Sequence, residues 1–413
     1  DELKYVVNGY VNGEIPDYQV SAWLMSVYFR GMTDNETFNL TNIMKDTGYC
    51  VDFNNKKDIF VDKHSTGGIG DKTTMIVAPI VAACGLKIGK MSGKSLGYAG
   101  GTIDKLQSIK GYKTDLGIED FVNIVNSIGL SLIGQSKELV PGDKCLYALR
   151  DCTGTVESIP LIASSIMSKK LAVNSSCIVL DVKYGDGAFM RSEEDAEKLA
   201  RQMIMIGTRA GRRVAALLSE NKEPLGYCIG NAIEVQEAIE VLKGKKVNDL
   251  YEICEKLVTI LLSLANSVSY EENRKLVREV IANGEALKKF YELLVYHGVD
   301  QHNIDNFLFD KPTYSLSMKS PRAGYINKIG AEMCGRVSMA LGAGRNTIYE
   351  QIDYAAGIKL LKKTGDWVEQ GEPLAILFSS DKSRLDVESI HFLDAFEIGE
   401  TNLYRKPNTK IIW

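Results

Sequence analysis

Residues 63–74 read KHSTGGIGDKTT, and their side chains suit the grip of an anion. Glycines 67, 68 and 70 let the backbone approach a ligand closely and turn its N–H groups toward negative charge. Ser65, Thr66, Thr73 and Thr74 add hydroxyl donors, and Lys63 adds a point charge. A helix starting near Thr73 would contribute its positive end. Asp71 separates Gly70 from Lys72, which breaks the Gly-Lys-[Ser/Thr] order of a nucleoside-triphosphate loop, and a dinucleotide fingerprint fails as well. His64, wedged between a lysine and a serine, is expected to titrate near neutrality and to move a proton.

A second stretch, KMSGKSLGYAGGTIDKL (90–106), repeats the formula with Lys90, Ser92 and Thr102 around flexible backbone. Two such loops after neighbouring strands can hold one phosphate from both sides. A third stretch, YALRDCTGTVESIPLIASSIMSKKLA (147–172), carries different chemistry. Ser165 and Lys169 are four residues apart and share a helix face. Arg150, just upstream, offers a forked donor array, so the three suit one small planar ligand.

The elements that must position these residues follow from pattern. In DYQVSAWLMSVYFRGM, Val20, Trp23, Leu24, Val27 and Tyr28 recur at helical spacing and Gly31 marks the stop. β-rich pieces ending in glycines (DIFVDKHSTGG, KIGKMSGKSLGYAGG, SSCIVLDVKYGDGAF) then alternate with helical patterns such as IEDFVNIVNSIG and SEEDAEKLARQMIMIGTRAGRR, the latter opened by Ser192 and Asp195 in the manner of a capping box. That alternation predicts an α/β fold with a mainly parallel mixed sheet flanked by helices, its ligands at the carboxyl ends of strands. Residues 142–172 read as helices again, with Pro160 tolerated in a first turn, and fold back on the N-terminal helices as a small all-α domain. The expected organisation is 1–45 with 142–172 as the α domain, 46–141 with 173–312 as the α/β domain, and 313–413 as a C-terminal barrel-sandwich-like α+β portion. This last part is similar in layout to lipoyl and biotinyl carrier domains, but no lysine sits in a hairpin as a carrier lysine does, so it reads as structural.

Composition narrows the partners. Lys and Arg total 49 against 53 Asp and Glu, for a net charge of -4 without long charged runs, which argues against nucleic acid and anionic membrane surfaces. The eight cysteines lack C-x-x-C spacing and sit mostly in apolar stretches, the pattern of reduced thiols in a cytoplasmic protein. The longest apolar run, MIVAPIVAACGL (75–86), is too short to span a bilayer. The chain opens on Asp1, which leads to the expectation that a leading stretch is missing.

The segments VDKHSTGGIGD, KMSG, GGTIDKL, LYALRD, SIPLIASSIMSKK, IVLDVK and PLGYCIGNAIEV, in this order, resemble the pyrimidine-nucleoside phosphorylase and thymidine phosphorylase family over essentially the full chain. The resemblance implies a glycosyltransferase that reversibly phosphorolyses uridine, thymidine and deoxyuridine to free base and (deoxy)ribose 1-phosphate. It implies an α domain that binds the pyrimidine and dimerises, and an α/β domain that binds phosphate, with the active site in the cleft between them. Lys63, Ser65, Thr74, Lys90, Ser92 and Thr102 would hold inorganic phosphate. Tyr147, Arg150, Ser165 and Lys169 would hold the base, with His64 beside it, and His64, Arg150 and Lys169 would be the catalytic groups. No organic cofactor is implied. A potassium ion would bind near Gly70, Lys72, Leu225, Cys228 and Glu237, where Lys72 can replace the ion or point away.

The chain departs from the family after KMSG, where Arg-Gly-Leu-Gly-His-Thr-Gly-Gly-Thr is usual. Here stand Lys94, Ser95, Tyr98 and Ala99, with Gln107 where glutamate is common. Lysine at position 90 is a feature of the broad-specificity branch, whereas the thymidine-restricted branch tends to have methionine. Three other readings compete. A phosphorylase strict for 2′-deoxynucleosides is one, an anthranilate phosphoribosyltransferase-like enzyme lacking evident magnesium ligands is another, and a non-catalytic homologue is the third.

Overall fold

The structure, a computed structural model, describes residues 1–413 other than Lys56, 94–97, Ala99, Lys137, Phe307 and 346–349. Lys94, Ser95 and Ala99, three of the departures, therefore lie outside the described residues.

Three helices open the chain: α1 (Glu2–Val11), α2 (Asp17–Arg30) and α3 (Asp34–Lys45). Gly31 stops α2 with φ of 70°, as its sequence predicts, and Thr33 with Glu36 forms a full capping box on α3. The apolar stripe on α2 divides. Val20, Leu24 and Val27 enter the core, Trp23 is half-buried, and Met25, Tyr28 and Phe29 face outward.

The central α/β part runs β1 (Phe60–Ser65), α4 (Thr73–Ala83), β2 (Lys87–Ser92), α5 (Thr102–Gln107), α6 (Ile118–Ile128) and β3 (Leu130–Gly134). Helices α7 (Pro141–Thr153) and α8 (Ile159–Ala172) then return to pack on α1–α3, with Pro160 in the first turn of α8. The sheet resumes through β4 (Cys177–Tyr184), α9 (Glu193–Arg209) and β5 (Arg213–Glu220). Ser192 caps α9 by accepting from the Asp195 N–H. Strand order β5-β4-β1-β2-β3 is parallel throughout. All eight residues of β4 are buried, because helices cover both faces of a parallel sheet. One face carries α4, whose residues Thr73–Ala82 are all buried, together with α10 (Ala232–Leu242), α11 (Asn248–Ala265), α12 (Tyr270–Ala282) and α13 (Glu285–Tyr296), after the short β6 (Cys228–Gly230). The other face carries α8 and α9. Strand order reverses direction between β1 and β4, so a crevice opens beyond their carboxyl ends.

After α14 (Gln301–Asn306) come β7 (Tyr314–Lys319), β8 (Gly324–Ile329), α15 (Ala331–Ser338), β9 (Gly357–Leu360), β10 (Trp367–Val368), β11 (Pro373–Ser379), α16 (Lys382–Phe392), β12 (Phe396–Gly399) and β13 (Thr409–Ile412). They form two antiparallel sheets, β6-β9-β11-β7 and β10-β8-β12. Strand pairing crosses the boundary expected at residue 312. β6 lends itself to the C-terminal sheet through β9, and β13 adds an antiparallel edge to β5 of the main sheet. Edge strands with free backbone donors recruit such partners regardless of their distance along the chain.

Candidate functional site

The carboxyl ends of β1 and β2, the first turns of α4 and α5, and α7 with α8 surround a cavity of about 390 Å³. His64, Ser65, Thr74, Lys90, Ser92, Thr102, Tyr147, Arg150, Ser165 and Lys169 all line it. Residues up to 105 positions apart thus meet in one cleft, with the glycine loops on one wall and the α7–α8 donors on the other.

Lys63 is the exception. Successive side chains of a strand point to opposite faces, and β1 obeys this. Asp62 pairs with Lys170 of α8 at 2.7 Å, while Lys63 bonds Thr73 Oγ1 at 2.6 Å and lies 3.3 Å from Asp181 on the opposite side. Lys63 is fully buried behind the loop and is not among the residues that line the cavity.

Asp71 organises that loop, a role the sequence reading missed. Its carboxylate accepts from Ser65 Oγ at 2.5 Å and from both Thr73 Oγ1 (2.6 Å) and the N–H (3.2 Å) of Thr73, the first residue of α4. Burial alone would push its carboxyl up, but Lys63, Lys183 and Lys105 outweigh that and hold it well below the usual range. The Ser65 proton is committed to Asp71, so this hydroxyl must turn before it can donate to an anion.

Lys90 is the most informative cation. It is 4% exposed, and its Nζ donates to the Lys63 carbonyl at 2.7 Å. Among the described residues no carboxylate lies within ion-pair distance of it. Burial, then the charge of Lys170, push it well below its ordinary range. A buried cation without a counterion is costly, and an arriving anion removes that cost. His64 departs from the expected titration near neutrality in one direction. Burial and the charges of Lys90, Lys170, Lys169 and Lys63 push it well below its usual value, so the imidazole is neutral at pH 7.

On the opposite wall, Lys169 Nζ donates to Ser165 Oγ at 3.2 Å and to Asp143 Oδ2 at 2.6 Å. Arg150 spends three donors on the carbonyls of Thr155 (3.3 Å), Leu161 (3.2 Å) and Val156 (2.7 Å), which fixes its fork at the cleft. Its guanidinium carbon stands 5.7 Å from the Tyr147 ring centroid. A wider depression of about 1060 Å³ opens elsewhere, where Lys363 pairs with Asp249 and Glu223 and Arg274 with Glu255.

The residues named for potassium do converge, though around an ammonium. Lys72 Nζ bonds the Leu225 carbonyl (2.9 Å), the Cys228 carbonyl (2.8 Å) and Glu237 Oε2 (2.6 Å), with Gly70 packed against Leu225. These oxygens are taken up by the Lys72 ammonium. Tyr98 lies against the Arg336 guanidinium at 5.0 Å, and Gln107 donates to Thr114 at 3.1 Å. No helix among the described residues is long and apolar enough to cross a membrane.

Comparison with known proteins matches three family models: the helical bundle domain of the glycosyl transferase family at residues 1–48, its a/b domain at 57–287, and the pyrimidine nucleoside phosphorylase C-terminal domain at 325–399. The pyrimidine-nucleoside phosphorylase of Bacillus subtilis is 47% identical, covering 92% of this chain and 88% of its own. That of Staphylococcus haemolyticus is 48% identical over 94% and 90%, and that of Geobacillus stearothermophilus 45% over 94% and 90%. Among solved structures, anthranilate phosphoribosyltransferase from Thermus thermophilus superposes with a TM-score of 0.58 at 17% identity, covering 72% of this chain and 94% of that one, a likeness of fold alone. With these matches spanning the helical bundle, the a/b domain and the C-terminal sheets, the chain belongs to the pyrimidine-nucleoside phosphorylase family of glycosyl transferases.

Proposed function

We propose that this protein catalyses the reversible phosphorolysis of pyrimidine nucleosides, with inorganic phosphate as co-substrate. The observation that carries this reading is the buried Lys90, which lines the cavity with Ser165 and Lys169 and, among the described residues, has no carboxylate within ion-pair distance. Phosphate sits against Ser65, Thr74, Lys90, Ser92 and Thr102, near the amide-rich start of α4. The base lies against Tyr147, Arg150, Ser165 and Lys169. A phosphate oxygen then bonds to the sugar C1′ as the C1′–N1 bond breaks through an oxocarbenium-like state, and the electron pair leaves on the pyrimidine.

Each wall has a task in that step. Arg150 and Lys169 stabilise the charge that develops on the base, where a preorganised donor contributes roughly 3 kcal/mol. His64, neutral before substrates bind, acts as a hydrogen-bond donor to the base rather than as a standing acid. A bound phosphate dianion offsets the surrounding lysines and favours the imidazolium. In NMR titrations the His64 midpoint is therefore expected well below about 6.5 in phosphate-free protein and to rise when phosphate saturates the cleft. A midpoint unmoved by phosphate would contradict its position beside the anion.

The substrates proposed are uridine, thymidine and deoxyuridine. We also read the protein as a homodimer through its helical part, supported by Tyr5, Tyr18, Met25, Tyr28 and Phe29, which α1 and α2 leave exposed. The test of function is direct. Uracil and thymine release should require phosphate and saturate with it, whereas a folded protein that releases neither base would leave only a binding role.

A further inference from the structure

Beside the anion loop, a lysine stands where the family resemblance implies an alkali-metal ion. Lys72 is the residue before α4, and its side chain is among the largest fully buried ones, with the residue 1% exposed. An ammonium has three N–H donors, and here three oxygens take them: Leu225 O at 2.9 Å, Cys228 O at 2.8 Å and Glu237 Oε2 at 2.6 Å. Two neutral carbonyls and one carboxylate around a buried unit charge form the kind of oxygen cage that binds a desolvated monovalent cation.

The cage is held from behind. The Glu237 carboxylate also accepts from the N–H of Tyr227 (2.8 Å) and of Cys228 (3.1 Å), which fixes both of its oxygens. The Leu225 N–H donates to the Ile69 carbonyl at 3.0 Å, tying the two loops together. Glycines let them close. A Cβ on Gly70 (φ 77°) would stand 2.4 Å from Leu225 O, and one on Gly226 (φ 70°) would stand 2.6 Å from Glu237 Oε2. The neighbouring carboxylate, Glu234, is paired with Lys105 at 2.7 Å, so it does not supply charge for a second cation. Burial alone would drain the ammonium of its proton, but Glu237 and then Glu234 overcome this and raise its affinity for it.

We infer that the Lys72 ammonium is a tethered replacement for a bound monovalent cation, clamping segment 225–228 onto the anion loop, so that this protein is structurally independent of potassium. The clamp adjoins chemistry, because Lys72 lies between Asp71, which accepts from the Thr73 N–H, and Thr73 and Thr74 at the start of α4. Its loss should loosen the phosphate side of the cleft first.

The test reads stability as well as turnover, so its outcome does not depend on the catalytic reading. Wild-type protein is compared in KCl and choline chloride at equal ionic strength, together with Lys72→Thr and Lys72→Ala. Wild type should show the same Tm and the same KM for phosphate in both salts. Each variant should lose roughly 5 °C or more of Tm in choline, and KCl should restore it along a saturable curve, as binding to the folded state requires. Three results would overturn the inference: a wild-type Tm that climbs with KCl, variants as stable as wild type in choline, or a loss that potassium leaves unrepaired. The wild-type comparison decides the matter even if a variant fails to fold.

Discussion

Replacing Lys169 by methionine is expected to lower kcat for pyrimidine nucleoside phosphorolysis by roughly 10²- to 10³-fold while leaving the KM for phosphate near its wild-type value. The split follows from where Lys169 stands, on the α8 wall beside Ser165 and across the cavity from the glycine loops. Its ammonium serves charge that exists on the base only as the glycosidic bond breaks, so the loss belongs to kcat. One complication is structural. Asp143, 3% exposed, would lose its partner at 2.6 Å, and an uncompensated buried carboxylate destabilises the fold. The double variant Lys169→Met with Asp143→Asn removes both charges and should recover stability without recovering kcat. If the double variant regained turnover, Lys169 would be an anchor for Asp143 and nothing more.

The second large effect is expected at Lys90. Wild type should turn over uridine and thymidine at comparable rates, and Lys90→Met should lose uridine activity by roughly 10- to 100-fold more than thymidine activity. That ratio is what one hydrogen bond from a charged donor to the ribose 2′-hydroxyl is worth. The same substitution removes a buried cation whose bond in the cleft is to the Lys63 carbonyl, so Tm should rise rather than fall. Kinetics with both nucleosides and a melting curve decide this together. Equal loss on both substrates would assign Lys90 to phosphate alone, and absence of uridine turnover in wild type would favour an enzyme strict for 2′-deoxynucleosides.

Much of the cleft is legible in the chain because its chemistry is local. KHSTGGIGDKTT declares an anion loop, KMSG with GGTIDKL repeats it, and Ser165 with Lys169 shows a shared helix face four residues apart. Lys63 falls within the β-rich DIFVDKHSTGG stretch, on β1, and its ammonium bonds Thr73, a partner that the strand pattern alone does not name. The rest depends on distance. Asp62 finds Lys170 and Lys63 finds Asp181 across more than a hundred residues, and no spacing rule links them. Lys72 shows the same limit, since its oxygens lie 153 to 165 positions away and only the fold decides whether it enters the cage. The strand β13 was invisible for want of length. Four residues, TKII, carry too little pattern to reveal that they pair with β5.

One cleft brings phosphate and a pyrimidine nucleoside together so that phosphate itself becomes bonded to the sugar. ³¹P NMR of the protein with uridine and inorganic phosphate measures this directly. A pentose 1-phosphate resonance should grow in step with released uracil, one for one, and reverse when uracil is added in excess. Uracil released with no new phosphate ester would mean hydrolysis by water, and would contradict the account.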